Sequence, residues 1–323
     1  MEKLKNDQLK IDTKQVCEKI ENYIKDLVEK KKANGVIFGL SGGIDSSVLA
    51  YLCAKVVDKK LVHAYYLYER DSSKESRRRA QLVADLLGID LHIINIEPEM
   101  KKERIYSSFI MKINSISKTL NRALIQNLYK FMYKEVPFIS TLKQGHFKRR
   151  PFKKLLYNQT VKHIQESFDA RHKYRRKYLE KKAKEQNLVL LGAANFSEVL
   201  VGWYVKDGVD DLPVSPISGL YKTQIRQIAE CLNMPSDIRE QLPSPDMMKG
   251  ITDEYAIGML YAKIDIIHDG LERGLKDAEI VEYGVTQQEI DYFRNIHQLS
   301  AWKRQTEHED APVDGTIKGG FRL

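Results

Sequence analysis

Residues 41 to 47 read Ser-Gly-Gly-Ile-Asp-Ser-Ser, directly after the apolar run Val36 to Leu40. This combination suits an anion. Gly42 and Gly43 have no Cβ, so backbone N–H groups can converge on a phosphate there, and a following helix adds its positive N-terminal end. Ser41, Ser46 and Ser47 contribute hydroxyl donors. Asp45 says more, because a carboxylate beside a phosphate repels it unless a divalent cation lies between them. The stretch therefore predicts a grip for a Mg²⁺-bound polyphosphate. No Lys follows the glycines and no Gly-x-Gly-x-x-Gly order is present, which sets it apart from two common glycine-rich phosphate loops. The plainer alternative is a strand-to-helix turn with ordinary Ser and Asp caps.

Such loops act beyond the carboxyl ends of parallel strands, so the flanking elements decide what they can do. Apolar spacing (Val16, Ile20, Tyr23, Ile24, Leu27, Val28) predicts a helix over 14–33 that stops at Asn34-Gly35. Short apolar runs predict strands over Val36–Leu40, Leu61–Glu69, Leu91–Glu97 and Leu188–Gly192. Between and after them, helices are expected over 45–57, 74–88, 168–186, 220–233, 253–271 and 286–299. After the fourth strand comes a polar loop rich in Gly, Asp and Pro. Strands separated by helices of this length give a doubly wound, mainly parallel α/β sheet covered on both faces. Residues 1–323 are expected to form one domain, with a basic, largely helical insertion over 101–167 and a polar tail over 300–323.

Charge is unevenly spread. Residues 101–184 hold 23 Lys and Arg against 5 Asp and Glu, a net of +18, so the remainder carries 30 against 39, a net of −9. The basic segment is either a solvated helical face or a surface for polyanions: nucleotide phosphates, RNA or the acidic face of a second subunit. Hydrophobic content of 42% and charged content of 30% describe a soluble globular chain. No run is long enough to span a bilayer, and the first residues lack the apolar core of a signal peptide. Cys17, Cys53 and Cys231 are far apart without metal-ligand spacing, and read as reduced thiols in a cytoplasmic protein.

Ser41-Gly-Gly-Ile-Asp-Ser46 resembles the signature of the PP-loop ATP pyrophosphatases, which cleave ATP between the α and β phosphates and adenylate a substrate oxygen. Further along, "DARHKYRRKY", "LLGAANFSEVLVGWYVKDG", "PISGLYKTQIRQIAECLNMP", "PSPDMMKGITDEYAIGMLYAKID" and "WKRQ" resemble, in order, segments of the NAD synthetases within that superfamily. The similarity covers roughly residues 40 to 100 and 168 to 305. It implies ATP-dependent amidation of nicotinic acid adenine dinucleotide with release of AMP and pyrophosphate, by a symmetric homodimer that uses free ammonia. It also implies site residues. Asp45 and Glu198 match the magnesium ligands; Gly39, Ser41, Gly42, Gly43, Asp45, Ser46, Ser47, Lys222 and Thr223 form the ATP site; Asp45, Ser46 and Lys222 are the catalytic set. Arg171, Lys173, Arg175, Lys206 and Asp210 are assigned to the small-molecule substrate. A Lys at a helix start, as at 222, is electrostatically out of place unless an anion neutralises it.

Three positions depart from the family pattern. Ala193 stands where a Thr is expected, Val205 at a second Thr, and Val209 at the Asp associated with ammonia. Asp207, Asp210 and Asp211 lie close by, and a shifted loop would let one of them supply the missing carboxylate. The acceptor therefore stays open at this point. A related PP-loop enzyme that adenylates another small molecule or a tRNA, then adds nitrogen or sulfur, is the competing expectation, with Lys148, Arg149 and Arg150 in its RNA surface.

Overall fold

The computed structural model describes residues 4–108, 110–112, 127, 129–146, 151–247, 250–305 and 309–313. Its first half alternates α1 (Thr13–Lys30), β1 (Val36–Gly39), α2 (Ile44–Val56), β2 (Val62–Tyr68), α3 (Lys74–Leu87) and β3 (Asp90–Asn95). After α4 (Glu97–Lys102) come α5 (Tyr129–Tyr133), α6 (Pro137–Leu142), α7 (Pro151–Gln159) and the long α8 (Val161–Gln186), which leads into β4 (Val189–Leu191). The remainder is helical: α9 (Phe196–Val201), α10 (Lys222–Cys231), α11 (Ser236–Arg239), α12 (Asp253–Ile257), α13 (Tyr261–Glu272), α14 (Asp277–Val281) and α15 (Gln287–Leu299).

The four strands form one parallel sheet in the order β3-β2-β1-β4. Val36 pairs with Val62 on one side and with Val189 on the other. Successive residues of β1 face opposite ways, as the pleat requires. Val36 and Phe38 join the core under α1, α2, α3 and α10, while Ile37 joins Leu179 and Ala183 of α8 on the other face. Both faces are thus covered, which explains why the strands read as nearly continuous apolar runs. A further apolar cluster unites α6, α9, α13 and α15. Part of the basic segment is therefore packed into the body rather than laid on it.

Several helix boundaries have local causes. Asp12 caps α1 through Gln15 N at 3.1 Å, and Ser73 caps α3 through Ser76 N at 3.0 Å. Gly88 ends α3 at φ 65°. The helix expected over 253–271 is two helices, because Gly258 adopts φ 84° and closes the first of them. The helix expected to begin near 168 starts at Val161. Within the loop expected after β4, residues Phe196–Val201 are helical, capped by the Asn195 side chain on Glu198 N at 3.1 Å. No described helix is long and apolar enough to cross a membrane. The three cysteines are free thiols, and burial pushes that of Cys17 up to about 12, far from a reactive thiolate.

Candidate active site

The Ser-Gly-Gly loop closes the carboxyl end of β1 and starts α2, the central position of the sheet. Its shape depends on Gly42, which sits at φ 77° with α3 packed so close that an added Cβ would lie 2.3 Å from the Ser76 carbonyl oxygen. The serines knit the turn together. Ser46 Oγ lies 3.0 Å from Ser41 Oγ and accepts from Ser41 N at 3.2 Å, and Gly43 N donates to Ser41 Oγ at 3.2 Å. Ser47 turns inward and donates to the Gly43 carbonyl at 2.7 Å, so its hydroxyl braces the loop from behind.

Beside this loop lies a cleft of about 270 Å³ that receives Gly39, Ser41, Gly43, Asp45 and Ser46 from the loop, Glu198 from α9 and Lys222 from α10. Lys222 Nζ is 2.5 Å from Asp45 Oδ2 and 3.2 Å from Glu198 Oε1, and only 2% of the lysine is exposed. The charge at this helix start is therefore met by two carboxylates of the protein. Asn195, fully buried, donates to Asp45 Oδ1 at 3.1 Å while its oxygen caps the helix that carries Glu198. One amide thus sets the distance between the two acids.

A deeper layer fixes Lys222. Its backbone N–H donates to Ser197 Oγ at 2.8 Å, Ser197 donates to Asp265 Oδ1 at 2.5 Å, and Asp265 Oδ2 accepts from Thr223 N at 3.0 Å. Thr223 is buried in this layer, behind the lysine. Burial pushes the Asp265 carboxyl up to about 6. Asp253 behaves alike, pushed up to about 6 by burial, with Tyr261 donating to it at 3.3 Å. Trp302-Lys303-Arg304 secures the far end of α9: Lys303 Nζ donates to the Gly202 carbonyl at 2.8 Å and Arg304 to that of Leu200 at 2.9 Å, where cations suit a helix C-terminus.

Three carboxylates, Asp45, Glu198 and Asp253, surround one ammonium. For Lys222, burial alone would lower the pKa, but Asp45 and Glu198 outweigh it and hold the ammonium above its ordinary range. Glu198 is pushed upward by burial and then by Asp45 and Asp253, against the pull of Lys222. A hard cation fits this surplus of oxygen charge. Among the described residues no group of three or more His, Cys, Asp or Glu stands arranged for a metal. Two carboxylates completed by phosphate oxygens and water are nonetheless the usual surroundings of Mg²⁺. Because the fold raises the Glu198 pKa, ionising it costs stability, and that cost grows as pH rises above the ordinary glutamate range, about 4.3. In metal-free buffer, the melting temperature of the wild type should therefore fall relative to Glu198→Gln as pH rises from about 5 to 8. Added Mg²⁺ should narrow the difference. Parallel melting curves would show that the carboxylates do not compete for one cation.

Of the five residues assigned to the substrate, the cleft brings together two. Arg175 lines the cleft, its Nε donating to the Leu67 carbonyl at 3.2 Å. Asp210 lines it as well. Lys173, on the opposite side of α8, is exposed, and Lys206 is half-buried outside the cleft lining. Arg171 is fully buried, pairing with Glu69 Oε1 at 2.9 Å and Asp71 Oδ2 at 3.3 Å while its Nε donates to the Ser167 carbonyl at 3.1 Å. Burial would raise the Glu69 carboxyl, but Arg171 and Arg175 outweigh it and hold it low. This guanidinium therefore ties α8 to the end of β2 rather than facing the cleft. Arg171→Lys, which keeps the charge and loses the planar fork, should cost about 1–3 kcal/mol of stability in denaturant unfolding. KM for the substrates should hardly change; a raised KM with unchanged stability would instead put Arg171 on a substrate.

Of the three apolar departures, Ala193 and Val209 line the cleft, and Val205 lines an adjoining pocket. Asp210 alone of the three neighbouring aspartates reaches the cleft wall. Asp211 is buried and accepts from Asp207 N at 2.7 Å. Lys148, Arg149 and Arg150 lie outside the described residues.

Comparison with known proteins settles the lineage of this arrangement. The profile of the NAD synthase family matches residues 16–128 and 117–307. The chain belongs to the NAD synthase family. It is 30% identical over 281 residues to an NH(3)-dependent NAD(+) synthetase of Coprothermobacter proteolyticus, covering 84% of this chain and 92% of that one. A Thermotoga maritima protein of the same name is 32% identical over 256 residues, covering 79% and 86%. Among solved structures, an NMN synthetase from Francisella tularensis superposes with a TM-score of 0.65 at 21% identity over 92% of this chain and 97% of that one. An NH3-dependent NAD synthetase from Campylobacter jejuni gives 0.60 at 20% over 91% and 96%. These superpositions establish the fold: an α/β parallel sheet of the kind expected from the sequence.

Asn195, Asp253 and Asp265 are the site residues that sequence reasoning passed over. Asn195 had a usable signal, since it stands three residues before Glu198, the spacing of a helix cap. Nothing in the sequence brings Asp265 beneath Lys222.

Proposed function

We propose that this chain, an ATP-using ligase, forms NAD from nicotinic acid adenine dinucleotide and ammonia. AMP and pyrophosphate are released. The observation that carries this is the convergence of Asp45, Glu198 and Lys222 beside the serine-glycine loop at the open end of the sheet. Membership of the NAD synthase family and the names of its relatives support the choice of reaction.

In this account the carboxylate of the dinucleotide attacks the α-phosphorus of ATP. Pyrophosphate departs against the backbone N–H groups and hydroxyls of residues 41 to 46, where the first turn of α2 adds partial positive charge. Lys222 exchanges its carboxylate partners for phosphate oxygens, holding the charge that develops as the P–O bond breaks. Arg175 stands on the opposite wall for a second phosphate. Asp45 and Glu198 would hold Mg²⁺, whose charge would screen the phosphates from the attacking oxygen. Ammonia then attacks the acyl-adenylate carbon, and AMP leaves. We also take the working unit to be a homodimer in the cytoplasm. The NAD synthase family and the names of its relatives favour the dinucleotide over an RNA as acceptor.

A coupled assay for AMP with ATP, Mg²⁺, ammonium and the dinucleotide tests the proposal. AMP should appear only with the dinucleotide present and NAD only with ammonium as well. AMP release indifferent to the dinucleotide would contradict it.

A further inference from the structure

The cleft is not isolated. A second pocket of about 150 Å³ adjoins it, walled by Phe138 of α6, Ile164 and Phe168 of α8, and Trp203. His172, Trp203, Asp210 and Pro245 line both spaces, so they form the partition between them. His172 Nδ1 lies 3.0 Å from Asp210 Oδ1, and Asp210 Oδ2 accepts from Val205 N at 3.1 Å, which fixes the carboxylate in the partition. Gly208 lies close enough that a Cβ there would come within 2.9 Å of the His172 Cβ, so the loop is pressed against the imidazole. The Phe168 ring stacks against its face at 6.3 Å.

This arrangement has chemical content. A carboxylate 3.0 Å from one imidazole nitrogen stabilises positive charge on the ring and leaves the other nitrogen to accept a proton. No described residue is bonded to His172 Nε2. Other proton acceptors on the cleft wall are engaged: Asp45 and Glu198 with Lys222, Asp253 with Tyr261, and Asp246 with Ser73 N at 3.0 Å. The charged groups around the imidazole are Asp210 from the loop after α9, Asp169 and exposed Lys173 from α8, and Lys303 from the C-terminal segment. The Asp210 carboxyl would be raised by burial, but His172 and the Val205 N–H outweigh this and keep it ionised.

Resting on the amidation proposed above, we propose that His172, held by Asp210, is the base that converts ammonium into the attacking ammonia at the mouth of the second pocket. Ammonium, the dominant species at neutral pH, gives one proton to Nε2 and becomes neutral ammonia, with the imidazolium balanced by Asp210. The imidazolium passes its proton to water in the cleft. The nitrogen lone pair then forms the C–N bond, the carbon–oxygen pair leaves with AMP, and the strongly acidic N-protonated amide so formed gives its remaining extra proton to solvent. A mainly apolar pocket suits a small neutral nucleophile.

The test is His172→Gln in the full chain. Dinucleotide-dependent exchange of labelled pyrophosphate into ATP, measured without ammonium, should persist, since that half-reaction needs no base. Amidation by ammonium near pH 7 should fall by about 10²–10⁴-fold. The deficit should shrink as pH rises, because free ammonia becomes abundant. Hydroxylamine, largely unprotonated at pH 7, should be used almost as well by the variant as by the wild type. Equal amidation by both proteins at pH 7, or an equal loss with ammonium and hydroxylamine, would overturn the role of His172. Absence of exchange in the wild type would instead overturn the functional proposal beneath it.

Discussion

Asp45→Asn should lower dinucleotide-dependent AMP release by about 10³-fold, close to 4 kcal/mol of transition-state stabilisation. The substitution is nearly isosteric, and its oxygen can still accept from Asn195 Nδ2, now at 3.1 Å from Asp45. The loop should therefore keep its shape, while the melting temperature falls, since buried Lys222 is left with Glu198 as its direct carboxylate partner. What disappears is a charge: Lys222 loses its nearest partner, and a divalent cation loses one of two carboxylate ligands. Excess Mg²⁺ should restore little, because the missing group orients the ion as well as binding it. Turnover at the wild-type rate would defeat the assignment of Asp45 to the phosphate site.

Lys222→Met should be damaging in two separable ways. The lysine is nearly sealed from solvent, and removing it leaves Asp45, Glu198 and Asp253 facing one another without a cation. Breaking a buried ion pair from one side costs about 3–5 kcal/mol, which denaturant unfolding would register. The sign of its pH dependence follows from the raised carboxyls: protonated acids repel less, so the loss should be smaller near pH 5 than near pH 8. Activity should fall about 10²–10³-fold even where the variant is folded, because a donor to the departing phosphate is gone. A variant as stable as the wild type at both pH values would mean the three acids are not coupled through Lys222.

Much of the fold was legible because its signals are local. The strands observed at Val36–Gly39, Val62–Tyr68, Asp90–Asn95 and Val189–Leu191 fall within the apolar runs that announced them, apart from Asp90. Parallel strands covered on both faces must be apolar throughout. What escaped depends on neighbours distant in sequence. Gly258 interrupts a helical apolar pattern that continues on both sides of it, so periodicity alone joined α12 to α13. Phe196–Val201 is too short to show a period, and its cap was visible only at Asn195. Arg171 and Arg175 are alike in composition and one helical turn apart. Only the approach of Glu69 and Asp71 from the turn after β2 decides that the first is structural and the second faces the cleft. The loop chemistry was readable at Gly42 and Asp45, whereas the partition formed by His172 and Asp210 exists only once α8 and the loop after α9 are side by side.

The proposed reaction joins the carboxylate of the dinucleotide to the α-phosphorus of ATP in this cleft. Supplying nicotinic acid adenine dinucleotide labelled with ¹⁸O in its nicotinate carboxylate, with ATP and ammonium, tests it in one step. Mass spectrometry should find one ¹⁸O in the phosphate of the released AMP, carried there when the C–O bond of the adenylate breaks. AMP free of label alongside NAD formation would contradict the account.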